Sequence, residues 1–260
     1  MKPQVYKDPR PKEYFDRFHE QARRQPPNAM YEIVRMLLTP FCLLFFRARC
    51  IASDNVPVAG PVILAPNHFS FMDHFFVAMF VRRRVQFMGK SQLFKAPLQF
   101  VYRNGGVFPV RRGHSDTEAF DTAHTVLSRG GPIVMYCEGG RSRTGQVQER
   151  AKAGIGRLAL ESGAPIVPIA IQGSAKVRNW KKLQFPKVTV QYGDPIRFDK
   201  VENPTKEQAQ AASEIIFENI EHLYYGLQKD GRKHAIKAAR AARRAADRAA
   251  ESVTRQPTTS

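Results

Sequence analysis

Short hydrophobic runs alternate with stretches of helical periodicity over most of the chain after residue 50. Six runs predict β-strands, at 61–66, 84–89, 106–110, 132–137, 165–171 and 187–193. The intervening periodicity predicts helices near 73–82, 91–103, 115–129 and 151–162, and a longer helix with one apolar face at 204–227. This alternation predicts an α/β domain with a mostly parallel central sheet flanked by helices, whose ligands bind at the carboxyl ends of the strands.

The most hydrophobic stretch of the chain precedes this domain. Its uncharged part, from Met36 to Phe46, has eleven residues, whereas a membrane-spanning helix needs about 20. Arg35 lies before it, and Arg47 and Arg49 lie after it. This pattern predicts a short helix or helical hairpin embedded in one leaflet of a membrane, with its arginines at the headgroups. A core helix packed on the domain has the same pattern and is the alternative.

The net charge of the chain indicates a negatively charged partner. The chain has 41 lysines and arginines against 23 aspartates and glutamates, a formal net charge of +18, which favours nucleic acid, anionic lipid or an acidic cofactor. The alanine-rich segment 229–260 predicts a helix with basic residues along one side, namely Lys233, Lys237, Arg240, Arg244 and Arg248. Such a stripe suits DNA, RNA or an anionic membrane.

Cysteine usage and the first 30 residues indicate the compartment. Cys42, Cys50 and Cys137 include no CxxC pair, which predicts neither a zinc site nor a disulfide framework. The first 30 residues are too charged and too often interrupted by proline for a signal peptide. We therefore expect the protein on the cytoplasmic side.

An ionisable pair interrupts the apolar segment APNHFSFMDHFF at 65–76. His68 and Asp73 follow the first predicted strand of the domain, where Pro66 ends the strand and a helix begins. Both residues are therefore expected at the carboxyl edge of the sheet. A carboxylate bound to one imidazole nitrogen fixes the tautomer of the ring and stabilises its protonated form. His68 is predicted to be a general base with Asp73 as its partner.

The residues of this segment also suit a metal site or a purely structural histidine. His68, Asp73 and His74 could be metal ligands, but Asp73 and His74 are adjacent and point about 100° apart on a helix, so we expect no metal site. His68 could also be a hydrogen-bonded core histidine. The phenylalanines suit either ordinary core packing or the wall of a pocket for an apolar substrate chain.

Two further strand ends carry glycines and arginines. The run GVFPVRRG ends with Arg111 and Arg112, and the segment after 132–137 holds Glu138, Gly139, Gly140, Arg141 and Ser142. Glycines allow a backbone to approach a ligand closely, and arginine binds phosphate through two N–H groups. Lys152 lies at the start of a predicted helix, where free backbone N–H groups attract anions. Together these residues predict a phosphate site.

The sequence also lacks a nucleophile motif. It contains no G-x-S-x-G segment, and Cys137 lies within a predicted buried strand. A base without a protein nucleophile indicates that a hydroxyl of the substrate attacks directly, without a covalent enzyme intermediate.

Four segments resemble, in the same order, the sequence blocks of the glycerolipid acyltransferases that acylate lysophosphatidic acid. NHFSFMD resembles the N-H-x4-D block, GVFPVR the second block, EGGRS the E-G-T-R-S block and IVPIA the fourth block. The four span Asn67 to Ala170. Gly140 stands where the family usually has threonine.

The resemblance implies a glycerol-3-phosphate acyltransferase-like fold and a function. His68 is implied as the base and Asp73 as its partner, and the implied acceptor contacts are Arg111, Glu138, Gly139, Gly140, Arg141, Ser142 and Lys152. The implied reaction transfers a fatty acyl group from acyl-CoA or acyl carrier protein to the sn-2 hydroxyl of 1-acylglycerol 3-phosphate, with no metal or redox cofactor. Another lysophospholipid or a glycolipid is the alternative acceptor. A nucleic-acid-binding protein is more remote, because it explains the charge but not the ordered blocks.

The chain is accordingly predicted to have three parts. Residues 1–50 form a polar arm and interfacial membrane-docking helices, 51–228 the acyltransferase catalytic domain, and 229–260 a basic helical tail. The expected partners are a membrane lipid, an acyl thioester and an anionic membrane surface. The expected location is the cytoplasmic face of the cell membrane, as a peripheral or monotopic protein.

Overall fold

A central β-sheet forms the core of the fold. The computed structural model describes residues 8–112, 116–142 and 144–254. In this part of the chain seven strands form the sheet: β1 (Arg49–Ile51), β2 (Val62–Pro66), β3 (Gln86–Lys90), β4 (Val107–Val110), β5 (Pro132–Val134), β6 (Ile166–Gln172) and β7 (Thr189–Tyr192). Their spatial order is β1-β7-β6-β2-β5-β3-β4. The helices are α1 (Glu13–Arg24), α2 (Ala29–Phe45), α3 (Asp73–Ala78), α4 (Leu98–Asn104), α5 (Thr117–Ser128), α6 (Gly154–Ser162) and α7 (Lys206–Thr254).

The sheet is mostly parallel. The pairs β6·β2, β2·β5, β5·β3 and β3·β4 are parallel, β7 is antiparallel to β6, and β1 pairs in parallel with β7. The predicted α/β fold with a mostly parallel sheet flanked by helices is confirmed. The strand β1 was not predicted, because three residues of sequence RCI carry no strand periodicity.

Successive residues of each central strand face opposite sides of the sheet, as the two-residue repeat of a strand requires. Ile63 and Ile133 pack on one side with residues of α5, α6 and α7. Leu64 and Val134 pack on the other side with residues of α2 and α3. Both faces of the central strands are therefore covered, which explains why these strands read as continuous apolar runs.

The two N-terminal helices differ in how they are packed. In α1, Phe15 and Phe18 are buried in a cluster with Phe94. In α2 only Tyr31 and Cys42 are buried. Most of its large apolar side chains are exposed, among them Ile33, Met36, Leu37 and Leu44. Helix α1 thus belongs to the packed core, although it lies within the segment predicted as an arm.

A membrane-spanning helix needs sufficient length and sufficient hydrophobicity. Within the described residues, each helix taken singly is too short or too polar to cross a bilayer, while α1 and α2 meet that length and composition only as a pair bent by 87°.

The last helix changes direction at Gly231. This residue has φ 76° and ψ 160°, a backbone conformation that glycine adopts far more readily than other residues. Beyond it, Ala235, Ile236 and Ala239 pack against the core, and Arg232 Nη1 donates to the carbonyl oxygen of Arg47 at 2.7 Å. The predicted part boundaries at residues 50 and 229 therefore lie inside elements that pack on the core. Strand β1 includes residue 50, and helix α7 includes residue 229.

Candidate active site

The predicted site residues converge at the carboxyl edge of the sheet. His68 follows β2 by two residues, and Glu138 follows β5 by four residues. Because β2 and β5 are parallel neighbours, their carboxyl ends bring the two following loops side by side. The loop after β2 leads directly into α3, whose first residue is Asp73.

His68 and Asp73 form a buried pair. The distance between His68 Nδ1 and Asp73 Oδ2 is 2.9 Å, and their exposed fractions are 7% and 0%. The same carboxylate oxygen accepts the backbone N–H groups of Phe69 and Ser70, each at 2.7 Å. Asp73 therefore closes the turn between β2 and α3 and, at the same time, orients the imidazole.

The environment of His68 favours the neutral imidazole. Burial is the main cause that lowers its pKa, Asp73 acts in the opposite direction, and the charges of Arg141 and Arg112 add to the lowering. A neutral ring that donates from Nδ1 to Asp73 has an unprotonated Nε2. That nitrogen is able to accept a proton from a bound hydroxyl group.

The glycine loop at residues 138–142 is joined to His68 from two sides. Glu138 Oε1 accepts the backbone N–H of His68 at 2.8 Å, and the N–H of Ser142 donates to the carbonyl oxygen of His68 at 2.8 Å. Burial raises the pKa of Glu138 to about 7. The side chain of Glu138 is thus directed at the backbone of the loop that follows β2.

Cationic side chains lie on both sides of this glycine loop. Gly139 has φ 63°, and a Cβ atom there would lie 3.0 Å from the side chain of Lys152. A Cβ atom on Gly140 would lie 3.5 Å from Arg112 Nη1. The absence of side chains on the two glycines therefore leaves the loop backbone open between a lysine and an arginine.

Tyr136 and His74 also lie beside His68, which the sequence did not predict. The ring of Tyr136 stacks on that of His68 with 3.9 Å between centroids, and its hydroxyl group forms a short hydrogen bond with His74 Nδ1. Tyr136 lies in the apolar run before Glu138, and His74 follows Asp73. Neither position is distinguished by spacing, so only the fold brings them together.

An apolar cavity of about 100 Å³ opens beside this group. Its walls come from α2, α3, α4 and the adjacent strands, with Leu38, Cys42, Phe75, Met79, Phe87 and Val107 among the lining residues, and His74 also lines it. The phenylalanines of the segment 65–76 have different surroundings. Phe69 and Phe76 are core residues and Phe75 is a cavity wall, whereas Phe71 is exposed.

Comparison with known proteins shows which family this part of the chain resembles. The acyltransferase family profile matches residues 47–172, a range that contains the His68–Asp73 pair and the glycine loop. This segment is therefore similar to the acyltransferase family.

Two curated relatives of the chain are named for the same reaction. The chain is 25% identical over 137 residues to the chloroplastic 1-acyl-sn-glycerol-3-phosphate acyltransferase BAT2 of Brassica napus, covering 51% of this chain and 39% of that protein. It is 29% identical over 136 residues to the human 1-acyl-sn-glycerol-3-phosphate acyltransferase beta, covering 51% of this chain and 49% of that protein. The chain thus spans less than half the length of these curated relatives.

A solved structure shares the fold of this protein. The 1-acyl-sn-glycerophosphate acyltransferase PlsC from Thermotoga maritima aligns with a TM-score of 0.53 at 21% identity, over 81% of this chain and 89% of that one. The comparison supports the sheet and helix arrangement described above.

Arg111 and Arg112 are neighbours in the sequence but have different surroundings in the structure. Arg111 Nη2 donates to the carbonyl oxygen of Arg10 at 3.3 Å, and its guanidinium group lies 5.9 Å from the ring centroid of Phe15. Arg112 instead lies beside Gly140. Of the two, Arg112 is thus the residue that the structure brings to the glycine loop, and Arg111 contacts the N-terminal segment.

The remaining predicted residues lie around the same loop. Arg141 is close enough to affect the pKa of His68, Ser142 is buried, and the backbone N–H of Lys152 donates to the carbonyl oxygen of Cys137 at 2.9 Å. Among the described residues, no group of three or more histidine, cysteine, aspartate or glutamate side chains is arranged to hold a metal ion.

Proposed function

We propose that the protein transfers a fatty acyl group from a thioester donor to the sn-2 hydroxyl of 1-acylglycerol 3-phosphate, which gives phosphatidic acid for phospholipid synthesis. The observation that carries the proposal is the buried His68–Asp73 pair beside a glycine loop flanked by Arg112 and Lys152. A base next to a cationic loop suits a substrate that has both a hydroxyl and a phosphate group. The names of the relatives support the same acceptor.

In this reaction His68 acts as the general base. Its Nε2 accepts the proton of the acceptor hydroxyl while the oxygen attacks the thioester carbonyl carbon. The tetrahedral intermediate collapses, the carbon–sulfur bond breaks, and the thiolate takes the proton from His68. Asp73 stabilises the imidazolium that exists between these steps. The reaction needs neither a metal nor a redox cofactor.

The acceptor phosphate is assigned to the glycine loop. Arg141 and Arg112 supply guanidinium groups, Lys152 an ammonium group, and Gly139 and Gly140 an accessible backbone. Ser142 and Glu138 hold this loop on the backbone of His68. The phosphate would thereby be held at a fixed distance from the base, which aligns the hydroxyl for attack.

The acyl chain of the donor is assigned to the apolar cavity. Its lining is apolar apart from a few groups such as His74 and Arg35, and each buried methylene of a chain contributes about 0.8 kcal/mol. His74 lines the cavity, and its ring centroid lies 5.4 Å from that of His68, so a chain inside the cavity would end close to His68.

Docking on a membrane is assigned to α2 and to the basic part of α7. The exposed apolar side chains of α2 suit insertion between lipid tails. Lys237, Arg240 and Arg244 are exposed or half-exposed beyond the kink, and basic groups near an anionic membrane surface each contribute about 1 kcal/mol. The contact from Arg232 to the carbonyl of Arg47 keeps the two elements adjacent. The proposed location is accordingly the cytoplasmic leaflet, whose surface is anionic.

The decisive experiment is an acceptor and donor panel with the purified protein. 1-Acylglycerol 3-phosphate should be acylated at least about tenfold faster than the same acceptor without phosphate, with both acyl-CoA and acyl carrier protein tested as donors. Faster turnover of a neutral lysophospholipid or a glycolipid would replace the proposed acceptor. Absence of any thioester turnover, together with salt-sensitive binding to duplex DNA, would favour a nucleic-acid-binding protein.

A further inference from the structure

His74 lies between the catalytic base and the apolar cavity. Its ring centroid is 5.4 Å from that of His68, with an angle of 25° between the ring planes, and it lines the cavity wall. If the donor chain fills this cavity, as the proposed function has it, the thioester carbonyl lies where the cavity meets His68. His74 is the side chain that borders both places.

The hydrogen bond to Tyr136 determines which nitrogen of His74 carries the proton. Burial lowers the pKa of His74 to about 3 and raises the pKa of Tyr136 well above its usual value. Both side chains are therefore neutral. We assign the donor role to the tyrosine hydroxyl, because a phenol is a stronger donor than a neutral imidazole N–H and an imidazole nitrogen is a stronger acceptor than a phenol oxygen. This assignment puts the proton of His74 on Nε2. Among the described residues, no group forms a hydrogen bond with that Nε2.

The rings of His68 and His74 are thus each oriented by a hydrogen bond between Nδ1 and a buried side chain. Asp73 occupies Nδ1 of His68, and Tyr136 occupies Nδ1 of His74. The remaining nitrogens differ in what they offer, because Nε2 of His68 accepts a proton and Nε2 of His74 donates a hydrogen bond. Acyl transfer needs one group of each kind at the reacting carbonyl, a base for the nucleophile and a donor for the developing oxyanion.

We propose that the Nε2–H group of His74 is an oxyanion-hole donor of this enzyme. As the acceptor oxygen bonds to the carbonyl carbon, the carbonyl electron pair moves to its oxygen, and that oxyanion accepts a hydrogen bond from His74. When the carbon–sulfur bond breaks, the electrons return and the hydrogen bond weakens. His74 keeps its proton throughout, and Tyr136 acts on the reaction only through His74.

A set of isosteric substitutions separates this role from that of a cavity wall. In His74→Gln the amide nitrogen takes the place of Nε2, whereas in His74→Asn the amide takes the place of Nδ1 and leaves no donor toward the carbonyl. His74→Leu keeps an apolar wall without any donor. The three variants are compared at saturating acyl-CoA and lysophosphatidic acid, with thermal unfolding and acyl-CoA binding as measures of folding.

The proposal predicts a specific order of kcat. His74→Asn and His74→Leu should lower kcat about 100- to 1,000-fold while the donor KM changes less than about threefold, because the contact forms in the transition state. His74→Gln should retain at least about tenfold more kcat than His74→Asn. A kcat of His74→Asn within about threefold of the wild type would overturn the proposal. So would a change confined to donor KM or chain-length preference, which marks a wall residue.

The rate of thioester hydrolysis by water tests the role of His74 without any lipid acceptor. If the wild type acylates no glycerolipid, the proposed function fails, but hydrolysis passes through the same kind of oxyanion. Slower hydrolysis by His74→Asn than by His74→Gln would then still support the donor role. Equal hydrolysis by the wild type and both variants would overturn it, even if lysophosphatidic acid proves to be the acceptor.

Discussion

Glu138 holds the backbone of His68, although the two residues lie 70 positions apart in the chain. The Oε1 atom accepts the N–H of His68 at 2.8 Å, and the carboxyl group is almost fully buried. Glu138, the first residue of the glycine loop, therefore also fixes the loop that carries His68. Because of this hydrogen bond, the positions of His68 and of the glycine loop depend on one another.

The first prediction concerns the pH dependence of stability. Burial raises the pKa of Glu138 from 4.5 to about 7, so the folded protein binds this proton more tightly than the unfolded chain does. The stabilisation is fully present below pH 4.5 and is lost as the pH rises through 7. We expect the free energy of unfolding of the wild type, relative to Glu138→Gln, to fall by about 3 kcal/mol between these limits. Urea titrations of both proteins across this range measure it, and parallel pH curves would contradict the assigned shift.

A second prediction tests the catalytic pair. His68→Ala should lower kcat by about 100- to 10,000-fold in a protein that still unfolds cooperatively above the assay temperature. In the wild type, kcat/KM should fall on acidification with a midpoint below 6.5, because burial lowers the pKa of His68. Asp73→Asn removes the charge that raises this pKa, so the midpoint should move to still lower pH while kcat also falls. An acidic limb that stays in place in Asp73→Asn would show that another group controls it.

Arg111 and Arg112 provide a matched pair for the acceptor site. Arg112 lies beside Gly140, and Arg111 contacts Arg10 and Phe15. Arg112→Ala should therefore raise the acceptor KM by about tenfold or more, whereas Arg111→Ala should mainly lower the thermal midpoint. Steady-state kinetics with varied lysophosphatidic acid distinguish the two. A larger KM effect from Arg111→Ala would mean that its guanidinium group turns toward the phosphate when the acceptor binds.

The acceptor assignment of Arg141 has its own test. Arg141→Ala should raise the acceptor KM strongly, and Arg141→Lys should restore it only in part, because one ammonium group cannot replace two parallel N–H donors. An acceptor without phosphate should be a poor substrate for both the wild type and Arg141→Ala, with equal rates. If only the KM of the donor rises, the glycine loop binds the phosphates of coenzyme A instead.

A fifth prediction addresses membrane docking through two equally exposed residues. Leu44 on α2 and Val58 before β2 each expose 72% of their surface. Leu44→Gln should weaken binding to anionic lipid vesicles by about 30-fold, since one buried leucine side chain contributes about 2 kcal/mol, while Val58→Gln should leave it unchanged. Co-sedimentation at several lipid concentrations measures both. Unchanged binding in both variants would assign docking to charge rather than to the face of α2.

Contacts between residues close in the sequence could be predicted, whereas contacts between distant residues could not. The His68–Asp73 pair was predicted because it is local and lies next to a recognisable strand end. The stacking of Tyr136 on His68 and its bond to His74 join residues more than 60 positions apart, and no spacing rule connects them. The same limit applies to Arg111 and Arg112, whose opposite directions depend on how the N-terminal segment packs against β4.

The sequence predicted the central strands and the edge strand β4, but not the opposite edge strand β1. Both faces of β2 and β6 are buried, so their apolar runs were distinctive. The antiparallel direction of β7 and the pairing of β1 were not readable, because direction depends on the path of the connecting segment rather than on strand composition.

The pairing of β1 has a consequence for how the chain folds during synthesis. Arg49 pairs with Thr189, so β1 has no sheet partner until most of the chain described here has been made. Helix α2, which ends just before β1, leaves the ribosome early with its apolar side chains uncovered. We expect a nascent chain of this kind to aggregate or to bind a chaperone unless a lipid surface is present during translation. Adding vesicles during cell-free synthesis, rather than after it, should therefore give the higher yield of active protein.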